Sequence, residues 1–148
     1  MQQPMMWQPA TMQPTQMQPA MMQMQPAMMG KPMVMGQQTM TFPPLLATVQ
    51  NCRNVCEQMV TTMLGTADVQ ARRNQIQLLR DCAHICAILA GYLASNSPTA
   101  RATANLCAAI CEACGNECAR FQDQPSQMCA QVCLHCAREC RAYARTQG

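Results

Sequence analysis

Apolar residues and cysteines recur every three or four positions beyond residue 44, and this spacing predicts amphipathic α-helices. The first helix begins at Pro44, which suits a first helical turn, and Gly65 is its expected C-terminal stop. The second helix has Thr66 or Asp68 as its N-cap and ends at Ser95–Asn96. Both helices are expected to bury the face that carries these apolar residues and cysteines.

Two further helices follow, and a proline lies at the start of each. Ser97–Pro98 supply an N-cap and a first-turn proline for a third helix that runs to about Gln122. Pro125–Ser126 open a fourth helix that continues through Tyr143. Short connections between four helices predict an antiparallel up-down-up-down bundle. Since no segment alternates apolar and polar residues as a strand does, the predicted fold class is all-α.

The chain before this helical region has a different composition. Residues 1–43 are rich in Met, Gln and Pro, contain no cysteine, and repeat Gln-Pro from Gln3 onward. Proline fixes φ and removes hydrogen-bond donors too often here for a helix or a sheet. The segment is therefore predicted to be a disordered, low-complexity tail before one domain at 44–148. Its methionines fit either self-association or surface attachment, or the binding of Cu(I) through thioethers such as those of Met28 and Met29.

All 12 cysteines lie in the predicted bundle, at a density typical of a disulfide or metal scaffold. The N-terminus has no basic start, and prolines interrupt its apolar stretches, so no secretory signal is predicted. The pair Arg72–Arg73 is internal and does not form a twin-arginine export signal. We therefore expect a cytoplasmic protein, because clustered cysteines in a reducing compartment more often bind metal than form disulfides.

The third and fourth helices both contain the spacing C-x3-C-x2-C-x3-C. At about 100° per residue, these offsets return all four sulfurs of a helix to an arc of roughly 60°. Flanking Ala, Leu and Ile indicate that this face points inward. The first two helices carry shorter versions of the stripe, which Met59 and Met63 continue in the first helix. The predicted metal ligands are these two methionines together with Cys52, Cys56, Cys82, Cys86, Cys107, Cys111, Cys114, Cys118, Cys129, Cys133, Cys136 and Cys140.

Antiparallel helices of equal rise are expected to arrange these sulfurs in layers along the bundle axis. One expected layer contains Cys52, Cys86, Cys107 and either Cys136 or Cys140. The next contains Cys56, Cys82, Cys111 and Cys133. Beyond them Met59 is expected to face Cys114, and Met63 to face Cys118 and Cys129 beside Gln75. This arrangement predicts a thiol-lined channel with a mixed Cys/Met mouth, at which metal is exchanged.

Thiolates and thioethers select soft metal ions, above all Cu(I), although Zn²⁺ stays an alternative. Zinc more often occupies sites built from C-x2-C pairs on loops, and iron–sulfur clusters need a spacing that neither stripe has. Two further alternatives involve no metal: cysteine as a small buried core residue, and a bundle cross-linked by disulfides. His84 and His135 lie off the cysteine face, so a solvent-side role is favoured over metal ligation.

Several functional classes are disfavoured. The net charge of +3 is small and the arginines are scattered, which argues against nucleic acid as a partner. No uninterrupted apolar run reaches the roughly 18 residues needed to cross a bilayer, so no membrane partner is expected. No Ser/His/Asp set, phosphate-binding loop or paired carboxylate site supports an enzyme.

The segments NLCAAICEACGNECA (105–119) and MCAQVCLHCAREC (128–140) resemble the four-helix-bundle copper-binding proteins of bacteria, the copper storage protein family. The resemblance extends over about 45–148. It implies a bundle that stores several Cu(I) ions per chain through the twelve cysteines. It also implies a homo-oligomer, commonly a tetramer, and the cytosolic branch of the family where no export signal is present.

The predicted function is therefore storage or buffering of Cu(I), with a copper chaperone as one expected partner. The rival prediction is a spore-associated or coat protein that is cross-linked through the same cysteines and that binds spore-coat partners. Oxidised cysteines would favour the coat protein, and tight uptake of Cu(I) would favour the store.

Overall fold

A computed structural model describes residues 42–146 of the chain, and within them it contains four α-helices, one short 3₁₀ helix and no strand. The helices are α1 (Pro44–Leu64), α2 (Arg73–Ala94), α3 (Ala100–Ala119) and α4 (Gln124–Arg145), and the 3₁₀ helix covers Val69–Arg72. The all-α prediction is confirmed. The predicted tail at 1–43 lies outside the described residues, except for its last two positions.

Each helix packs on two others and not on the helix diagonally opposite, among the residues that the structure describes. α1 contacts α2 and α4, and α3 contacts the same two helices from the other side. With connections this short, consecutive helices run antiparallel. The predicted four-helix bundle is therefore confirmed, and its four inner faces enclose one shared axis.

The end of α1 agrees with the prediction in position but not in mechanism. Gly65 directly follows the helix, yet its φ is −89°, so the left-handed conformation that favours glycine is not the reason. The Thr66 hydroxyl instead donates to the Met63 carbonyl oxygen at 2.7 Å, which satisfies one of the last free carbonyls.

The predicted boundaries of the second and third helices are shifted by a few residues. Asp68 precedes the 3₁₀ helix rather than an α-helix, and its carboxylate accepts hydrogen bonds from Arg72 instead of capping the backbone. α3 begins at Ala100, because Ser97 and Thr99 form a preceding turn in which the Ala100 amide donates to the Ser97 carbonyl. It ends at Ala119, three residues before Gln122.

The fourth helix begins where a side chain caps it. Asp123 accepts a hydrogen bond from the Ser126 amide at 2.9 Å, which satisfies one of the free donors of the first turn. α3 and α4 approach each other closely at Gly115. A Cβ atom there would lie 2.7 Å from Cγ of Leu134 and 3.2 Å from the carbonyl oxygen of Ala130, so only glycine fits this contact without a shift.

One stretch of the described residues, Val69–Ala94, has the length and apolar composition of a membrane span. Its apolar face packs into the bundle, with Leu79 and Leu89 fully buried beside the cysteines. This is the pattern of a core helix in a helix bundle.

Candidate metal centre

All twelve cysteines have no exposed surface, and all are free thiols. The spacing of three or four residues puts the cysteines on the apolar face of each helix, beside buried residues such as Val49, Leu79 and Ala104. Burial of that face therefore brings the sulfurs inward as well. The predicted inward direction of the cysteines is confirmed. The aromatic and large aliphatic side chains of an ordinary core are replaced along the axis by sulfur.

The sulfurs of different helices lie close enough to share a metal ion. Sγ of Cys82 is 3.5 Å from Sγ of Cys111 and 3.7 Å from Sγ of Cys52, and Sγ of Cys56 is 3.6 Å from Sγ of Cys133. A disulfide needs a separation of about 2.05 Å, so these pairs are not bonded. Two sulfurs that each lie about 2.3 Å from one ion, the length of a zinc–sulfur bond, can be at most about 4.6 Å apart. These pairs fall within that limit.

Three groups of four cysteines have all their sulfurs within 4.8 Å of one another. The groups overlap, and every helix contributes to the centre of the array. They are Cys52/Cys56/Cys82/Cys133, Cys52/Cys82/Cys86/Cys111 and Cys86/Cys107/Cys111/Cys136.

The sulfurs form a staggered ladder that keeps the predicted layers only in part. Cys52 lies within 4.8 Å of Cys86, and Cys86, Cys107 and Cys136 share one group, as expected. Cys52 also lies 3.7 Å from Cys82 and 4.0 Å from Cys133, which were expected in the next layer. The predicted layers rested on the equal rise per residue of the helices alone. Packing also sets the axial offset of each helix, so neighbouring levels interlock.

The ladder continues at both ends of these groups. Towards one end, Cys136 and Cys140 are 3.9 Å apart. Towards the other end, Cys133 lies 3.9 Å from Cys129 and 3.8 Å from Cys114. Neighbouring sulfurs along this part of the ladder are therefore close enough for one metal ion to contact two of them.

Hydrogen bonds between sulfurs set the pKa values of the thiols, and burial raises each of them. The pKa of Cys133 is raised, because its thiol donates to Cys114 and also interacts with Cys129. The pKa of Cys114 is lowered, since hydrogen bonds from Cys118 and Cys133 stabilise its thiolate. The array therefore combines proton-donating thiols with sulfurs that accept hydrogen bonds.

A buried arginine closes the end of the bundle near Met63. Arg72 is only 7% exposed, and its Nη1 donates to Sδ of Met63 and to Oε1 of Gln75, both at 3.1 Å. Its Nη2 donates to Asp123 at 2.9 Å and its Nε to Asp68 at 2.9 Å. The single guanidinium is thus paired with two carboxylates, so burial of Arg72 leaves no unpaired positive charge.

The remaining polar groups at this end complete the arrangement, which we call the polar cap (Asp68, Arg72, Gln75, Asp123 and Ser126). Nε2 of Gln75 donates to the Ser126 hydroxyl at 2.9 Å and to Sγ of Cys118 at 3.6 Å. Ser126 also accepts from Arg72 at 3.3 Å. Every buried side-chain nitrogen and oxygen of the described residues has a partner. The polar cap therefore covers the last sulfurs of the ladder with a fully satisfied network.

A second opening lies in the wall between α1 and α4, and we call it the side groove. It is a cavity of about 470 Å³. Its lining includes Met128, which is 59% exposed, the largely buried Met59, and Cys129. The remaining lining residues are Val55, Gln58, Thr62, Gln124, Pro125 and Val132.

The comparisons with known proteins support copper as the metal of this site. The family model described as copper storage protein matches residues 38–145. The chain belongs to the copper storage protein family. Copper storage, a role that is not enzymatic, is the function of this family and of this chain.

Three solved structures illustrate the similarity. A Cu(I)-bound copper storage protein, BsCsp3, is 34% identical over 68% of this chain and 94% of its own, with a TM-score of 0.65. Apo copper storage protein 3 from Bacillus subtilis is 34% identical over 68% and 95%, with a TM-score of 0.64. A cytosolic copper storage protein from Streptomyces lividans, with five coppers, is 27% identical over 70% and 92%, with a TM-score of 0.65. No curated protein sequence is significantly similar to this chain.

Sequence reasoning placed the sulfurs of this copper storage protein correctly on the inner faces, but it missed most of the polar cap. Gln75 was expected near the mouth, while Arg72 was considered only as part of the internal pair Arg72–Arg73. Arg72 lies three, seven and ten positions before Gln75, Leu79 and Cys82, so it continues the periodicity of the buried face of α2, and this was the available signal.

The histidines and the exposed methionine also have defined positions. His84 and His135 are exposed, in agreement with the predicted solvent-side role, and neither joins a group of close metal-binding atoms among residues 42–146. Met128 is 59% exposed and is therefore not a core residue.

Proposed function

We propose that the twelve cysteines are the Cu(I) ligands of this store and that they hold several ions in one continuous array. The observation that supports this proposal is the ladder of buried sulfurs, in which three overlapping groups of four lie within 4.8 Å. Overlap matters, because a thiolate shared by two groups can bridge two ions. The ligand set is Cys52, Cys56, Cys82, Cys86, Cys107, Cys111, Cys114, Cys118, Cys129, Cys133, Cys136 and Cys140.

The chemistry of the ligands matches the metal. Soft thiolates prefer Cu(I) over harder ions, and a buried array keeps bound copper away from water and from other cell components. Each thiol that binds copper loses its proton, so loading exchanges protons for metal and limits the build-up of negative charge in the core. Histidine and carboxylate ligands are not needed for this arrangement.

Met59 and Met63 are proposed as additional thioether ligands at the polar-cap end. Met59 shares the side groove with Cys129. The Met63 sulfur accepts a hydrogen bond from Arg72, so it can bind copper only after Arg72 has moved. The two methionines are thus expected to differ in how readily they take part in exchange.

Titration of the reduced protein with Cu(I) under anaerobic conditions tests the proposal, with a competing chelator to measure affinity. We expect tight binding of several equivalents per chain, and mass spectrometry of anaerobically isolated protein should detect copper. Failure to compete with the chelator beyond a single equivalent would contradict it. A variant with serine at Cys52, Cys82 and Cys111, at the centre of the array, should lose capacity while the helical content measured by circular dichroism is retained.

The cytoplasm is the proposed compartment, and the cytosolic relative from Streptomyces lividans supports it. The tetramer and delivery by a copper chaperone stay predictions. The rival function of a coat protein cross-linked through its cysteines is not favoured, because the twelve cysteines are free and buried. Cystines in freshly isolated protein would reverse that preference.

A further inference from the structure

The array has two places where metal could reach it near the start of α4, and they differ in chemistry. One is the end of the bundle, which the polar cap covers. The other is the side groove between α1 and α4. We propose that Cu(I) enters and leaves the store through the side groove, with Met128, Met59 and Cys129 as a transfer site. The proposal rests on the proposed function, since it assumes that the cysteines hold the copper.

The side groove presents soft ligands in order of increasing burial. Met128 is 59% exposed, Met59 is 5% exposed, and Cys129 has no exposed surface. A large exposed methionine costs hydrophobic free energy in water and is used at surfaces that bind soft or apolar partners. Two thioethers followed by one thiol provide a graded path for Cu(I), which binds thiolate more tightly than thioether.

Cys129 connects this site to the rest of the array. Its sulfur lies 3.9 Å from that of Cys133, which in turn lies 3.6 Å from Cys56 and 4.0 Å from Cys52. Cys52 and Cys56 belong to the central groups of four. An ion that reaches Cys129 can therefore pass to the centre of the store without leaving sulfur.

The end of the bundle is unfavourable for a cation by comparison. The guanidinium of Arg72 lies directly on the Met63 sulfur, and ion pairs to Asp68 and Asp123 hold it there. Arg72 also stacks on the Phe121 ring, with 4.4 Å from its Cζ to the ring centroid. A copper ion on the axis would have to displace a positively charged guanidinium that has five hydrogen-bond partners. In contrast, no residue that lines the side groove in the described part of the chain is charged.

Transfer in the side groove is a sequence of ligand exchanges without a redox step. Sulfur of Met128 binds Cu(I) as one ligand of the donor leaves, and Met59 then replaces a second donor ligand. The Cys129 thiol loses its proton to water in the groove as its sulfur forms the bond to copper. Copper remains Cu(I) throughout, and the charge of the ion that enters is balanced by the proton that leaves.

Stopped-flow uptake from the coloured Cu(I)–bicinchoninate complex by the full-length reduced protein tests the route. Removal by excess bathocuproine disulfonate is measured as well. We expect Met128→Leu to slow uptake by about tenfold, the lower end of what the loss of one metal-site group costs. Thr62→Phe, which fills the side groove from its rim, should slow both uptake and removal.

The chain offers a matched control for the steric variant. Thr61 is also exposed and also donates its hydroxyl to the carbonyl four residues earlier, but it does not line the side groove. Thr61→Phe should therefore leave both rates unchanged. Arg72→Ala opens the polar cap, and on the proposed route it should not accelerate uptake.

Faster uptake in Arg72→Ala together with unchanged rates in Met128→Leu and Thr62→Phe would overturn the proposal in favour of the axial route. Equal slowing by Thr61→Phe and Thr62→Phe would also overturn it, because the effect would then not depend on the groove. The copper capacity of the unsubstituted protein at equilibrium is a separate measurement. Its failure would contradict the proposed function, whereas the rates alone decide the route.

Discussion

Arg72 donates a hydrogen bond to the thioether sulfur of Met63 over 3.1 Å, and this contact joins the charged cap of the bundle to its sulfur interior. A guanidinium is seldom buried unless carboxylates accompany it, and Asp68 and Asp123 do so here. Because Asp123 also caps α4, the same carboxylate orders the start of that helix and holds Arg72 over the channel. The polar cap therefore both stabilises the start of α4 and covers the end of the sulfur array.

The first prediction concerns the contribution of the polar cap to stability. Arg72→Ala removes hydrogen bonds to charged and neutral partners and leaves Asp123 without its cation. We expect the free energy of unfolding of the reduced apo-protein to fall by about 2–3 kcal/mol, in the range for hydrogen bonds that involve a charged group. Urea denaturation followed by circular dichroism measures this change.

Arg73→Ala is the matched control, because Arg73 is the next residue and is exposed. A surface substitution of this kind should change the free energy of unfolding by no more than about 0.5 kcal/mol. Equal effects of the two variants would show that the contacts of Arg72 are not what stabilises this end of the bundle.

The second prediction concerns the close contact of α3 and α4. Gly115→Ala puts a methyl group 2.7 Å from Cγ of Leu134, so the helices must separate or Leu134 must leave its rotamer. Overpacking of this kind costs about 1–3 kcal/mol, and it should exceed the gain of about 0.5–1 kcal/mol from replacing a helical glycine. Thermal unfolding of the apo-protein should therefore show a lower melting temperature.

For an alanine at Gly91 we expect the opposite change in the melting temperature. A Cβ atom there meets nothing within 4 Å, so Gly91→Ala should stabilise the protein by about 0.5–1 kcal/mol through helix propensity alone. Stabilisation by both alanines would disprove the close contact at Gly115.

The sequence was sufficient for the fold and for the direction of the sulfurs, because both follow from local periodicity. Cys107 and Cys111 must share a helix face whatever surrounds them. The axial offset between helices is not local, since it depends on contacts such as that of Gly115 with Leu134, and this explains why the predicted layers were only partly correct. The spacing of Arg72 from Gln75 and Leu79 indicated a buried position, but its partner Asp123 lies 51 residues away in the sequence, so the ion pair that permits this burial could not be predicted.

The third prediction concerns protons. Hydrogen bonds with Cys114 and Cys129 raise the pKa of the Cys56 and Cys133 thiols, and burial raises it further. Both groups are therefore protonated in the apo-protein at neutral pH, and binding of Cu(I) must release their protons. Lower pH favours the protonated apo-protein, so the apparent affinity for Cu(I) should fall as the pH falls. Proton release in a weakly buffered anaerobic titration, followed with an indicator dye, measures this exchange.

The absence of proton uptake or release on loading would contradict this prediction, since it would mean that the sulfurs are already thiolates in the apo-protein. A parallel titration with Ag⁺, a soft monovalent ion that needs the same thiolates, should release protons to a similar extent.

The fourth prediction ranks the cysteines by their position in the ladder. The sulfur of Cys133 lies within 4.0 Å of those of Cys52, Cys56, Cys114 and Cys129, so it is placed to bridge several ions. Cys140 makes one sulfur–sulfur hydrogen bond that meets the same distance limit, to Cys136 at 3.9 Å. Cys133→Ser should therefore lower the number of copper ions bound at saturation by more than Cys140→Ser does.

Native mass spectrometry of the loaded variants counts the bound ions directly. Both serines are buried and similar in size to cysteine, so a difference between the two variants reflects metal bridging and not packing. Equal losses would mean that each sulfur serves one ion independently, and the array would then be a row of separate sites.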